Sequence, residues 1–171
     1  QLNIVLPALS GDVAPGVVQV LLTKVTFSGN KSISTAQLDR DVIQQKLNQS
    51  YDFAGLKGIA DMVSQYYRNA GYPFARAYVP QQSLSNGELL LTILEGQYGK
   101  VTTTGDIPLY NGQARAFLSP LKKGDAIRSD TLERATLLLS DQPGIQTNAT
   151  MQPGTEVGSG DLTVDIKRVN P

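Results

Sequence analysis

The chain has no cysteine, no histidine and no excess of charge of either sign. Without those two residue types, zinc sites of the usual kind, thiol catalysis, Ser-His-Asp triads and haem-attachment motifs are excluded. The missing cysteines also rule out disulfide staples. That suits any compartment, including an oxidising one where a free thiol is a liability. Lys+Arg and Asp+Glu number 15 each, so the formal net charge is zero. A protein that binds duplex nucleic acid, or a membrane surface through a polybasic patch, carries a clear positive excess, and neither class fits. No apolar run approaches the length of a membrane-spanning helix. No signal-peptide pattern is visible, as expected of a mature chain or of a piece of a longer one. An enzyme without histidine or cysteine would need carboxylates, lysine, serine or tyrosine at a productive spacing, and no such pair stands out. No catalytic residue, cofactor or metal ligand is therefore expected. What is present is ordinary globular composition: 171 residues, 40% hydrophobic and 18% charged, with a mean hydropathy of −0.16. That suffices for a core and for one or two domains.

An internal repeat organises the chain. Asn86-Gly87-Glu88-Leu89-Leu90-Leu91-Thr92-Ile93 and Ser159-Gly160-Asp161-Leu162-Thr163-Val164-Asp165-Ile166 both read turn, glycine, acid, then alternating apolar residues. Gly87 and Gly160 are 73 positions apart, as are Ile93 and Ile166, and Gly71 and Gly144. Gly29 and Gly105 are 76 apart. Two copies of one unit fit this better than a single larger domain.

In the first copy, residues 20–28 predict a strand ended by Gly29-Asn30. Ser34 and Gln37 match a capping box, opening a helix over about 35–48. A second helix over about 54–70 places Ile59, Met62, Val63, Tyr66 and Tyr67 on one apolar stripe. Gly71 and Pro73 stop it. Strands over about 74–79 and 88–95 follow, joined by a loop containing Pro80 and the turn dipeptide Asn86-Gly87. The second copy repeats the order. It predicts a strand near 98–104, a short helix near 112–119 cut by Pro120, and a helix over 131–141 opened by an Asp130/Glu133 capping box. Strands near 145–151 and 161–168 complete it. Each copy therefore reads β-α-α-β-β. An antiparallel final hairpin and a right-handed crossover put the first strand parallel beside the last, with the middle strand at an edge. The expected class is α+β: two such modules, each a three-stranded mixed sheet with both helices on one face. Residues 1–19 lie outside both copies, as a linker or as a cover for an open sheet face carrying Leu22, Leu90 and Leu94.

Several local patterns resemble chemical motifs. Gly55-Leu56-Lys57-Gly58 matches the GxxG loop of KH domains, but Leu56 and Ile59 start the core stripe and no basic excess holds phosphate. Tyr66, Tyr67 and Tyr72 read as core aromatics with phenol tips reaching the surface. Asp39, Asp41, Asp52 and Asp61 form no tight ligand cluster and read as solvated or capping groups. Lys122-Lys123 reads as a solvated loop.

Gly71-Tyr72-Pro73-Phe74-Ala75-Arg76-Ala77-Tyr78-Val79-Pro80-Gln81-Gln82-Ser83-Leu84, followed by Gly87-Glu88-Leu89 and Glu95-Gly96, resembles the first POTRA domain of two-partner (type V) secretion transporters, the haemolysin and filamentous-haemagglutinin exporters. Leu137-Leu138-Leu139-Ser140-Asp141-Gln142-Pro143-Gly144, then Pro153-Gly154 and Gly158-Ser159-Gly160-Asp161-Leu162, is similar to that family's second POTRA. Gln142 stands where the family often has leucine, and Gly160 separates Ser159 from Asp161, both loop-level departures. The resemblance implies residues 20–96 as POTRA 1, residues 97–171 as POTRA 2, and residues 1–19 as an N-terminal linker or extension. It implies a periplasmic place in an outer-membrane protein of a Gram-negative bacterium. The partners implied are a secreted protein, met by its N-terminal secretion domain, and the transporter's own C-terminal β-barrel. Nucleic acid is not implied, and membrane contact only through that barrel. A POTRA scaffold for barrel assembly or cell division is the alternative, with the same fold and another partner.

The role has a physical basis in the edge strand. An edge offers a row of N–H and C=O groups to which an extended peptide can add as a further strand. Each net bond is worth about 0.5–1.5 kcal/mol, so a few give the transient binding that handover needs. The candidate partner-binding residues are Phe74, Ala75, Arg76, Ala77, Tyr78 and Val79 of the strand with Gln81 and Gln82 of the turn. Alternation turns Ala75, Ala77 and Val79 toward the helices and Arg76 and Tyr78 outward. The flank to which each backbone N–H points is left open.

Overall fold

A computed structural model describes residues 4–6, 18–84, 86–105 and 114–169. The described residues fall into two compact units. The first is built from the chain up to Ala70 with Ala75–Glu95, and the second from Gly71–Phe74 with the chain from Gly96 onward.

In the first unit the main sheet holds β3 (Lys24–Ser28), β7 (Glu88–Leu94) and β5 (Arg76–Tyr78) in the order β3-β7-β5. β3 runs parallel to β7, with Val25 opposite Leu89, and β5 runs antiparallel, with Ala77 opposite Ile93. The expected mixed topology is the one observed, with the middle strand at an edge. β7 alternates strictly, burying Leu89, Leu91 and Ile93. These meet α2 (Phe53–Asn69), which buries Leu56, Ile59, Ala60, Val63 and Tyr67. Asp52 caps α2 by accepting from Gly55 N at 2.8 Å. The GxxG stretch thus lies inside the helix rather than in a loop. α1 (Thr35–Leu38) is capped by Ser34, whose hydroxyl accepts from Gln37 N at 3.1 Å. The helix then widens into a π-turn over Asp39–Ile43 and closes as a 3-10 turn over Gln44–Lys46.

Three expectations need correction here. Met62 is 41% exposed and Tyr66 only half-buried, because the buried stripe is centred on Ile59, Val63 and Tyr67 and leaves those two on its flanks. Residues 20–28 are not one strand. β2 (Val20–Leu22) pairs instead with β4 (Gln49–Tyr51) in a separate ladder. The break falls at Thr23, where Gly87 O accepts from both Thr23 N and Lys24 N, and the Thr23 hydroxyl donates to Asn86 O. Finally, part of the segment expected to be only a linker or a cover forms a ladder: β1 (Ile4–Leu6) pairs antiparallel with β6 (Gln82–Leu84). The rest of residues 1–17 lies outside the described residues.

In the second unit the sheet order is β8-β10-β9, from β8 (Gln97–Gly105), β10 (Ser159–Arg168) and β9 (Ile145–Pro153). β10 is parallel to β8 and antiparallel to β9. A helix described over residues 114–118 (α3) and α4 (Ser129–Ser140) complete it. Of the helix expected near 112–119, residues 112 and 113 lie outside the described residues, and residue 119 is already in a turn. The core gathers Tyr98, Leu118, Ile127, Leu139, Leu162 and Val164 among others. The expected Asp130/Glu133 capping box is absent. α4 starts earlier, with Arg128 at its N-cap and no side-chain cap bond. Asp130 instead accepts from Thr131 N at 2.7 Å and from Arg128 Nε at 3.2 Å. Gly29 and Gly105 explain one part of the repeat: each has positive φ, and a Cβ would fall 2.2 Å from Ile93 O and 2.0 Å from Ile166 O respectively. The repeated glycines therefore sit against the repeated isoleucines.

Candidate functional site

β5 and α2 of the first unit enclose a groove of about 310 Å³. α2 contributes Lys57, Asp61, Ser64 and Arg68, and β5 contributes Arg76 and Tyr78. Ala75, Ala77 and Val79 are buried, Arg76 is exposed and Tyr78 is half-buried, the alternation expected of them. The Arg76 guanidinium lies over the Tyr78 ring, 5.7 Å from its centroid, which holds both side chains along the rim.

The flank of each backbone group is decided by Ser64. Ala77 N donates to Ser64 Oγ at 2.7 Å, so the Ala77 amide turns away from β7. Arg76 and Tyr78 therefore turn toward it, opposite Leu94 and Thr92. The one outward amide of this three-residue strand is already bonded. Ser64 is 4% exposed and its hydroxyl also meets Ala60 O at 3.0 Å and Ala77 O at 3.4 Å. β5 thus lacks the open row of donors expected of it. It presents a single donor held by an exchangeable hydroxyl. Sequence reasoning missed Ser64. Its signal was a lone small polar residue inside the apolar stripe, four positions after Ala60 and next to Val63.

The other expected site residues divide. Gln82 is occupied within the fold: its side-chain oxygen accepts from Leu90 N at 2.7 Å, and its Nε2 donates to Leu90 O at 2.9 Å and Pro80 O at 3.1 Å. Continuing the β5–β7 register puts Pro80 opposite Leu90, and proline has no N–H to offer. The Gln82 carboxamide stands in for that missing strand partner. Gln81 is exposed and outside the groove lining. Phe74 is 48% exposed and belongs to the second unit.

Away from the groove lining, Asp41 accepts from Arg40 Nε at 2.8 Å and from the Tyr66 hydroxyl. These bonds, Arg40's first, hold its carboxyl down at about 2. Among the described residues no group of three acidic, histidine or cysteine side chains could hold a metal ion.

Residues 20–96 match the family model described as POTRA domain, ShlB-type. The chain is 25% identical over 138 residues to the heme/hemopexin transporter protein HuxB of Haemophilus influenzae (strain 86-028NP), covering 80% of the chain and 24% of HuxB. It is 27% identical over 157 residues to the outer membrane transporter CdiB of Dickeya dadantii (strain 3937), covering 91% of the chain and 27% of that relative. The chain spans about a quarter of the length of these curated relatives. In fold it is similar to solved CdiB from Escherichia coli, with a TM-score of 0.75 at 20% identity over 98% of the chain and 31% of CdiB. The N-terminal domain of Omp85 from Thermosynechococcus elongatus gives a TM-score of 0.73 at 16% identity, over 89% of the chain and 68% of that structure.

Proposed function

We propose that this chain, whose residues 20–96 match the ShlB-type POTRA domain, is a pair of POTRA modules forming the periplasmic recognition region of a two-partner secretion transporter. It captures the unfolded secreted partner by its N-terminal secretion domain and delivers it to the β-barrel of the longer protein. The observation that carries this reading is the α2–β5 groove with the Ala77 amide on its wall. An extended segment lying beside β5 takes that amide from Ser64. The hydroxyl keeps Ala60 O as acceptor, so the exchange leaves no buried donor orphaned. One bond replaces another, and the surplus comes from a few rim contacts. Capture is therefore weak and reversible, as a handover requires. Lys57, Arg68 and Arg76 against Asp61 favour a segment of neutral or acidic side chains.

The test is a calorimetric titration of the chain with the secretion domain of the partner encoded beside the transporter. Ser64→Ala deletes the intramolecular competitor and tightens capture by up to about tenfold, equivalent to about 1.4 kcal/mol. Ala77→Pro removes the donor and abolishes it. Unchanged affinity in both folded variants removes this groove as the capture site, and no binding by the parent chain removes the reading itself.

A further inference from the structure

The two copies differ at three positions that the fold brings to one place. At the 76-residue offset that relates Gly29 to Gly105, Val25 corresponds to Val101, Leu38 to Ala114 and Val42 to Leu118, all of them apolar. At the same offset Phe27 of the first copy becomes Thr103 of the second, Ile43 becomes Ser119, and Asp39 becomes Arg115. Two large apolar side chains are thus replaced by small hydroxyl-bearing ones, and an acid by a base.

In the second unit these three residues line one pocket. Val101 stands opposite Leu162 in the β8–β10 ladder, and Thr103 opposite Val164. Leu162 and Val164 are buried, so Val101 and Thr103 share their helix-facing side of the sheet. Both are nonetheless only half-buried. The volume missing above them is that of the lost side chains. Ile43 is 1% exposed in the first copy, whereas Ser119 is exposed, and Pro120 keeps it out of α3. The result is a pocket of about 380 Å³ beside β8, with Val101, Leu118 and Leu121 on its apolar side and Thr103, Ser119 and Arg115 on its polar side. Arg115 is exposed, and among the described residues no hydrogen bond or ion pair engages its guanidinium. From Ala114 to Gly124 the chain carries Arg115, Lys122 and Lys123 and no acid.

We propose that this pocket is a polypeptide-binding subsite of the second unit, which takes an aliphatic side chain with a carboxylate beside it, such as a Leu-Glu step of a partner chain. The guanidinium fork offers parallel N–H donors to a carboxylate, and Lys122 and Lys123 add positive field to the same stretch. Val101, Leu118 and Leu121 cover the aliphatic side chain. Recognition is by side chains and uses no strand edge. A lipid fits less well, because an acyl chain needs a continuous apolar slot and Thr103 and Ser119 place hydroxyls in the lining. At the matching positions of the first copy, Phe27 and Ile43 carry the missing volume and Asp39 repels a carboxylate, so the subsite belongs to the second copy alone. This rests on the capture reading only for the source of the polypeptide.

The experiment is an NMR titration of the whole chain with the blocked peptide Ser-Gly-Leu-Glu-Gly-Ser, whose glycines disfavour pairing as a strand. The methyl signals of Leu118 and Leu121 and the Arg115 Nε–H signal shift and saturate together. The glutamine counterpart, Ser-Gly-Leu-Gln-Gly-Ser, binds at least about tenfold more weakly, the loss of one charge-assisted pair. Arg115→Asp, at an exposed position, abolishes binding of the glutamate probe and gives binding of Ser-Gly-Leu-Lys-Gly-Ser instead. Thr103→Phe combined with Ser119→Ile restores the first copy's side chains, fills the pocket and abolishes binding without lowering the melting temperature. Equal binding of the glutamate and glutamine probes overturns the proposal, as does a response confined to the Ala77 groove or the absence of saturable binding. A response of these signals to phosphatidylglycerol vesicles in place of the peptide overturns it too. If the probe binds while the secretion domain fails to bind the chain, the capture reading falls and the subsite stands.

Discussion

The two units share a β-α-α-β-β core order, to which the first adds four short strands, and hold it together differently. The first relies on side chains reaching backbone. Ser64 holds Ala77, Gln82 stands in for a strand at Leu90, and Ser34 and Asp52 cap the helices. The buried Tyr67 hydroxyl donates to Glu95 at 2.6 Å, and Glu95 also accepts from Ser32 N at 2.8 Å and Ser32 Oγ at 2.9 Å. The second unit relies on long ladders, nine residues of β9 against β10, and is less complete in its polar bonding. α4 has no side-chain cap, and among the described residues the buried Tyr98 hydroxyl has no hydrogen-bond partner. The lesson is that short strands need local bonds to their ends and edges, whereas long strands hold register by themselves.

The sharpest contrast comes from α2. Val63→Asp places an unpaired charge at a position that is 0% exposed and unfolds the first unit, a loss of about 4 kcal/mol or more. Met62→Asp, one residue away on the exposed flank, stays within about 0.5 kcal/mol of the parent. Urea melts of both variants check this, and equal damage would overturn the placement of the buried stripe.

Next in size is the Ser64 bond. Ser64→Ala leaves the Ala77 amide buried without an acceptor and destabilises the first unit by about 1–3 kcal/mol. Hydrogen exchange should then show the Ala77 amide released while the amides of Arg76 and Tyr78 stay protected. Continued protection of Ala77 would mean another acceptor holds it.

Of the buried tyrosines, Tyr67 and Tyr98 should respond differently. Tyr67→Phe strips a hydrogen bond from the Glu95 carboxylate and costs about 1.5–3 kcal/mol. Tyr98→Phe removes a buried hydroxyl that has no partner among the described residues and is neutral or slightly stabilising. Burial pushes the Tyr98 phenol up to about 12. Its folded pKa is therefore above the unfolded value near 10. Its contribution is intact below pH 10 and is lost as pH rises from 10 through 12, because the unfolded chain releases the proton more readily. Alkaline melts should show this loss in the second unit and its disappearance in Tyr98→Phe.

The smallest effect concerns Asp41, an exposed carboxyl held at about 2 by Arg40 and then Tyr66. Its folded pKa lies below the unfolded value near 3.9. Its contribution is full above pH 4 and fades as pH falls toward 2. Asp41→Asn should flatten the acid limb of the first unit's pH–stability curve slightly and leave the second unit's unchanged.

Much of this was legible in advance. The repeat, the element order, the edge position of the middle strand and the burial of Ala75, Ala77 and Val79 all follow from spacing and alternation. The stripe of α2 expected from spacing is two residues too wide, since Met62 and Tyr66 satisfy helical spacing without reaching the core. β4 and β6 carried no apolar signal: Gln49-Ser50-Tyr51 and Gln82-Ser83-Leu84 become strands only because partners lie beside them. Gln82 was read as a surface turn residue, and its role appears only with Pro80 opposite Leu90.

By itself, then, the sequence determined which residues face inward. Apolar alternation assigns side chains to faces, and chirality ties each backbone amide to a flank of its strand. Which flank is occupied was decided by the tertiary structure alone. Ala77 and Ala149 are both outward-flank residues of a middle strand, the second because the Gly154 N–Ser159 O and Val169 N–Gly144 O bonds set the even-numbered residues of β9 against β10. One amide is held by a hydroxyl thirteen positions earlier, and the other meets no such group among the described residues. That difference depends on which side chain long-range packing brings to the edge, and no pattern local to either strand encodes it.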